Sequence, residues 1–365
     1  MTAFVASASK ATRQLLRQYP WLETPAVISA PMRVIAGPSL AVQVSLSGGL
    51  GFIGPPAKPA NLLTDLDEAR KLIATSTSAS LKKVTDNDRL PIGIGFQTWN
   101  SNLDAALSAV SQYSPSAVWL FAPRHGQSEL DEWTQQIRTT SPKTRIWIQV
   151  GTLTEAVAAA DSSSAPDTLV VQGAEAGGHG RANDGMGLIA LLPEVADATR
   201  DSGIPVVAAG GIVDGRGAAA ALSLGAAGVA MGTRFLASRE ARISKGYQDE
   251  VVRASDGAKS TVRTQLYNHL RGTFDWPEEF SPRGLINRSW VDHCEGVEFD
   301  ELKEKHDEVI KSGDAAWGLE GRTASYAGAA VGLIQGVEDA ARIVRGVQRD
   351  AMEILKGLAA ASHDS

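Results

Sequence analysis

The chain has 365 residues, 43% of them hydrophobic and 21% charged, with a formal net charge of −6, a globular balance long enough to bury a large core in one or two domains. Without a basic surplus a polyanionic partner such as nucleic acid has no electrostatic footing, so the ligand is expected to be small. A lone cysteine, Cys294, permits neither an internal disulfide nor a thiolate cluster, and no run of about eighteen apolar residues is present to span a bilayer, so a cytoplasmic protein without a membrane partner is expected.

Taken in chain order, residues 1–22 lack acids and carry Lys10, Arg13 and Arg17. Two readings stay open for them: an organelle transit peptide, or a helix that docks Leu15, Leu16 and Trp21 on the body. Apolar, β-branched runs then recur at 26–30, 50–53, 92–96, 117–121, 145–150, 168–172, 205–208 and 227–231. Segments of helical spacing at 39–47, 65–75, 102–112, 128–139, 153–160, 188–201 and 215–223 alternate with them. Strands that read as continuous apolar runs are buried on both faces, which predicts a closed parallel (β/α)8 TIM barrel over an open doubly wound sheet. The "GGLGFIG" stretch at 48–54 matches G-x-G-x-x-G but runs into Pro55-Pro56 and not into a helix, so a dinucleotide fingerprint is not expected there. After about 239 the rhythm stops. Residues 240–321, with helical patches at 245–254 and 299–312, read as an inserted, mostly helical cap. The chain returns at 322–360 in an amphipathic helix, with Val344, Val347, Ala351 and Ile354 on one stripe, expected to close the barrel. The division expected is therefore 1–25 as an extension, 26–239 with 322–360 as the barrel, and 240–321 as the cap.

In such barrels function gathers at the carboxyl ends of the strands, with phosphate at the loops after the seventh and eighth. Those loops read "AAGGIVDGRG" and "MGTR". Gly210 and Gly211 allow close backbone approach, the helix starting near Asp214 is expected to turn free N–H groups toward an anion, and Gly232 with Thr233 repeats the arrangement. "QGAEAGGHGR" follows the sixth strand: Gln172 is placed to bond a flat heterocycle, Gly177 and Gly178 let the ring approach, and His179 is held beside it as a candidate base. His125, His269, His293, His306 and His363 lack such a cradle and read as structural or solvated, as does a Cys294–His293 pairing in the cap. No spacing suggests a metal site.

"SAPM", "GGLGFIG", "PIGIGFQTW", "IQVGT", "QGAEAGGHGR", "VVAAGGIVDGRG" and "GVAMGTRFLAS" together resemble the nitronate monooxygenases, formerly 2-nitropropane dioxygenases. The likeness runs from about 25 to 240 and resumes weakly from 322, and the long cap with Trp276, Trp290 and Trp317 resembles a fungal-type branch. The resemblance implies an FMN-bound TIM barrel that oxidises alkyl nitronates with dioxygen to a carbonyl compound and nitrite. It implies Pro31 and Met32 as the flavin platform, Gln149 and Gln172 as bonding the isoalloxazine or ribityl, and Gly177, Gly211 and Met231 through Thr233 as cofactor and phosphate contacts. His179 matches the histidine that deprotonates a nitroalkane and binds the nitronate. The third strand departs, reading Gly95-Phe96-Gln97 where many bacterial members carry an asparagine. An enoyl-thioester or quinone reductase using NAD(P)H on the same barrel, and a flavin-binding protein without turnover, stand as alternatives. Whether Tyr326 reaches the pocket and whether the chain forms a homo-oligomer stay open.

Overall fold

The computed structural model describes residues 3–55, 58, 61–78, 81 and 89–361; His363 lies outside them. Eleven strands run β1 (Ala26–Ser29), β2 (Leu50–Ile53), β3 (Leu90–Gln97), β4 (Pro115–Phe121), β5 (Arg145–Val150), β6 (Thr168–Gln172), β7 (Gly178–Arg181), β8 (Val206–Ala209), β9 (Gly228–Met231), β10 (Thr261–Arg263) and β11 (Phe280–Leu285). Eight of them, β1 to β6 with β8 and β9, form a closed barrel. All its pairs are parallel, and β9 closes on β1 with Ala26 opposite Gly228 and Ser29 opposite Met231. The expected eight strands and closure are therefore observed.

Why these segments make a barrel follows from their two-residue alternation. Ile28, Phe52, Trp119, Trp147, Val170 and Val207 point inward and form one buried cluster. Ile53, Ile94, Val118, Ile148, Val171 and Ala208 point outward into the layer shared with the helices. Helix starts are fixed locally by side-chain caps: Asn102 accepts from Ala105 N at 2.8 Å, while Thr152 and Glu155 form a reciprocal capping box. Burying side chains the size of Phe52 contributes about 1.5–3 kcal/mol each, so the aromatic interior is a main source of stability.

The lower mouth of the barrel is stoppered by the N-terminal segment. A helix Ala3–Gln18 leads to Tyr19, whose hydroxyl accepts a 2.7 Å bond from Trp147 Nε1 inside the barrel. Trp21 Nε1 donates to Gly49 O at 2.9 Å. Leu15 and Trp21 are buried, so the docked reading of this segment describes its place in the fold; Leu16 is half-buried beside them.

At the other end the short helix Thr233–Leu236 follows β9, and the missing eighth outer helix is supplied by Ala340–Ala361. That helix lies across Gly215, where an added Cβ would come within 2.5 Å of Asp350 Cβ. Its expected role in completing the ring is met. The segment between contains the helices Lys245–Arg253 and Phe299–Val309. It also contributes β10 and β11, which pair with β7 in a three-stranded antiparallel sheet over the barrel rim. The sheet was not anticipated in the sequence, where the GGH stretch reads as a loop.

Candidate active site

A cavity of about 490 Å³ opens at the carboxyl ends of the barrel strands beneath that sheet, within the range of roughly 300–1,000 Å³ typical of small-molecule and cofactor sites. Its floor is the top of the barrel interior. Trp119 Nε1 donates to Gln149 Oε1 at 3.0 Å, which leaves the Gln149 amide nitrogen as an available donor. Gln172 Nε2 donates to the carbonyl of His179 at 3.2 Å. Pro31 rests on Gly95, where a Cβ would approach Pro31 Cβ to 2.3 Å, and forms a rigid ledge with Met32.

On the far side, Gly210 and Gly211 adopt positive φ of 100° and 71°, open to glycine without strain. Their backbone lines the cavity together with Gly232 and Thr233. One expectation is corrected here. At the helix beginning at Gly215 the Asp214 carboxylate already takes two of the N–H groups, Arg216 N at 2.9 Å and Gly217 N at 3.2 Å. An anionic tail is left with the two glycine turns.

His179 stands on β7, paired with Pro282 of β11, and enters from Gly178 at φ 68°. A Cβ on Gly178 would meet nothing within 4 Å, so the turn faces open space. The imidazole stacks on Trp276, with centroids 3.6 Å apart and planes 9° from parallel. Its Nε2 lies 3.1 Å from Asn268 Oδ1, and Tyr326 places its hydroxyl 3.2 Å from the same oxygen. Burial pushes the His179 pKa down to about 3, and the Arg263, Arg271 and Arg33 guanidiniums push the same way against the Asn268 bond. The imidazole is therefore neutral at physiological pH.

The cavity wall carries Arg33, Arg242 and Arg271 and no aspartate or glutamate among the described residues. Arg242 is neutralised by Asp65 at 2.7 Å. Arg271 sits 5.6 Å from the Tyr326 ring. Burial and Arg271 lower the Arg33 pKa, and neither arginine has a carboxylate partner among the described residues. In a chain of net negative charge this is a local electropositive pocket. Beneath it Arg263 donates to the carbonyls of Ala174 and Ala176, each at 3.1 Å, fastening the turn that carries His179.

Eleven of the twelve site residues read from the sequence therefore line one cavity: Pro31, Met32, Gln149, Gln172, Gly177, Gly178, His179, Gly210, Gly211, Gly232 and Thr233. Met231 does not. Strand alternation turns Ala230 inward and Met231 out into the helix layer, where it is buried. Tyr326 does reach the cavity. The sequence reading missed Asn268, Arg33, Arg271 and Trp99, and had singled out Trp276 only as a cap feature. Asn268 adjoins His269, which stacks on Phe274 at 5.1 Å, away from the site. Of the other histidines described, His125 is exposed, His293 packs against Trp290, and His306 is buried with Nδ1 3.2 Å from Asp307. Cys294 is exposed.

Fold and cavity define a (β/α)8-barrel protein with a roofed site on the carboxyl-end rim. The model of the nitronate monooxygenase family matches residues 20–272. The chain is 64% identical over 360 residues to the nitronate monooxygenase npaC of Metarhizium robertsii, covering 99% of both chains. It is 34% identical to the nitronate monooxygenase of Neurospora crassa, covering 97% of this chain and 96% of that one. Among solved structures, FabK from Thermotoga maritima superposes with a TM-score of 0.73 at 24% identity, over 95% of this chain and 98% of that one, a likeness of fold. The chain belongs to the nitronate monooxygenase family and is an oxidoreductase. No helix of the described residues is long and apolar enough to cross a membrane.

Proposed function

We propose that this protein binds FMN and uses it to oxidise alkyl nitronates with dioxygen, yielding a carbonyl compound and nitrite, with His179 as the base that also admits neutral nitroalkanes. The observation that carries this reading is the pairing of a neutral imidazole with a carboxylate-free wall in which Arg33 and Arg271 have no counter-ion among the described residues. A nitronate is a small anion, and so is the phosphate of the cofactor. The residues present fit that group: Gln149 and Gln172 supply side-chain amides, Pro31 and Met32 a flat ledge, and the Gly210–Gly211 and Gly232–Thr233 turns backbone N–H groups for a phosphate. When bound, the flavin supplies electron transfer from the nitronate and the reaction with dioxygen.

What the chain itself does is bind, orient and move a proton. Arg33 and Arg271 draw the anion to the wall beside His179. Trp99, Phe121 and Trp276, all lining the cavity, hold its alkyl part and exclude water. A neutral nitroalkane gives its α-proton to the imidazole, a step worth typically 10²–10⁴ in rate when the base is well placed. The imidazolium formed faces three guanidiniums, which alone disfavours it. The nitronate produced beside it reverses that balance, because an adjacent anion raises a histidine's pKa.

The test is direct. The purified protein should be yellow and release FMN on denaturation, and aerobic mixing with a nitronate should give nitrite. His179→Ala should lose about 10²-fold or more on nitroalkane and much less on nitronate. Reduction of the bound flavin by NADH but not by anaerobic nitronate would overturn the reading in favour of a reductase.

A further inference from the structure

The hydrogen-bond chain behind His179 has a direction, and a backbone carbonyl sets it. The Phe280 carbonyl can only accept, and the side-chain amide 2.7 Å from it belongs to Gln265, which must therefore present Nε2. That turns Gln265 Oε1 toward Asn268, again at 2.7 Å, so Asn268 must present Nδ2 there. Asn268 Oδ1 is then left facing two groups, His179 Nε2 at 3.1 Å and Tyr326 Oη at 3.2 Å. With Asn268 presenting an oxygen there, the Tyr326 phenol donates to it. Asn268 is 2% exposed. Flipping its amide would set oxygen against oxygen at Gln265.

We propose that Gln265 and Asn268 fix His179 as the Nε2–H tautomer, so that Nδ1, which has no hydrogen bond among the described residues, is the atom that accepts the substrate proton. Asn268 is then a positioning residue supplied by the segment that follows the barrel's last strand. The inference rests on His179 acting as a base, as proposed above. In the step itself the α-C–H bond of the nitroalkane breaks, its electron pair forms the C=N bond of the nitronate, and the proton adds to Nδ1. Nε2–H stays bonded to Asn268 throughout. Stacking on Trp276 holds the ring plane, so the two nitrogens cannot exchange places without breaking both contacts. The charged and titratable groups facing the ring are Arg33 after β1, Arg263 on β10, Arg271 after the helix Leu266–Leu270, and Tyr326 from the returning chain. None of them is a carboxylate that would favour a proton on Nδ1 at rest.

Two-bond ¹H–¹⁵N correlation spectra of the histidine-labelled holoenzyme at neutral pH read the tautomer without reference to turnover. The expected result is one Nε2–H pattern for His179, identified by its loss in His179→Gln. Asn268→Ala should give a mixture of tautomers and slow nitroalkane turnover by about 10- to 100-fold, with nitronate turnover changed less than about threefold. Asn268→Asp, nearly isosteric, should keep the Nε2–H pattern and move the acid limb of the nitroalkane pH profile upward by about one unit, since an anion replaces a neutral acceptor. An Nδ1–H pattern in the unmodified enzyme overturns the proposal, as does an Asn268→Ala variant that keeps both the Nε2–H pattern and its nitroalkane rate. Absence of any nitronate turnover would instead remove the functional reading and leave the spectroscopic answer standing.

Discussion

At the scale of single residues, burying His179 as a neutral imidazole ties stability to pH. A free imidazole titrates near 6.5 and the folded one near 3, so between those values the unfolded chain binds a proton that the folded chain refuses. The contribution of His179 is complete above pH 6.5 and drains away as the pH falls toward 3. His179→Gln should therefore lose less stability than the parent between pH 7 and pH 5, by on the order of 1 kcal/mol in urea midpoints. Parallel curves for the two proteins would contradict this. Arg33 and Arg271 face the same space without acidic partners among the described residues, and a hydrogen bond to a charged group is worth about 1.5–3 kcal/mol. Replacing either by Met should raise KM for an anionic nitronate roughly tenfold or more with little change in kcat, and the parent's KM should climb with added salt more steeply than the variant's. Equal KM values would show that the anion is held elsewhere.

At the scale of elements, β7 with β10 and β11 presents His179, and Ala340–Ala361 completes the outer ring. Gly215 marks how closely that last helix packs: Gly215→Val would drive a side chain into Asp350 and Ala351. Overpacking of this kind costs about 1–3 kcal/mol, so the variant should unfold at lower urea while the cavity-lining residues stay in place; an unchanged midpoint would mean the helix can shift without loss. These elements also show why some of the molecule was readable in advance. The barrel strands announce themselves because both faces are buried, which leaves runs such as Val206–Ala209 free of polar residues. The last helix keeps its stripe for the same reason. β10 is three residues long, and β11 contains Pro282 and Arg283, so neither has a period to detect. Asn268 meets His179 across 89 positions of sequence, a separation no local pattern reports. Met231 was misplaced by one step of strand alternation, and Asp214 was read for its helix while its carboxylate already occupied the helix start.

At the scale of the whole molecule, the barrel is stoppered at one end by Tyr19 and Trp21 and roofed at the other by the sheet over His179. The two ends should respond separately to mutation. Tyr19→Phe removes the bond to Trp147 Nε1 and leaves a buried donor unmet, at a cost of about 1–3 kcal/mol. Its KM and kcat should match the parent's, because the cavity lies at the opposite mouth; a changed KM would mean that the aromatic column from Tyr19 through Trp147 to Trp119 transmits strain to the site.

The outer ring has a gap that only residues 340–361 fill, and they come after everything that roofs the cavity. Until those residues have emerged, the cylinder keeps one groove along its flank wet. Sealing that groove is a late event that joins the earliest strand to the latest helix, so neither portion has an intact life of its own, and calorimetry of the finished protein should register one melting step.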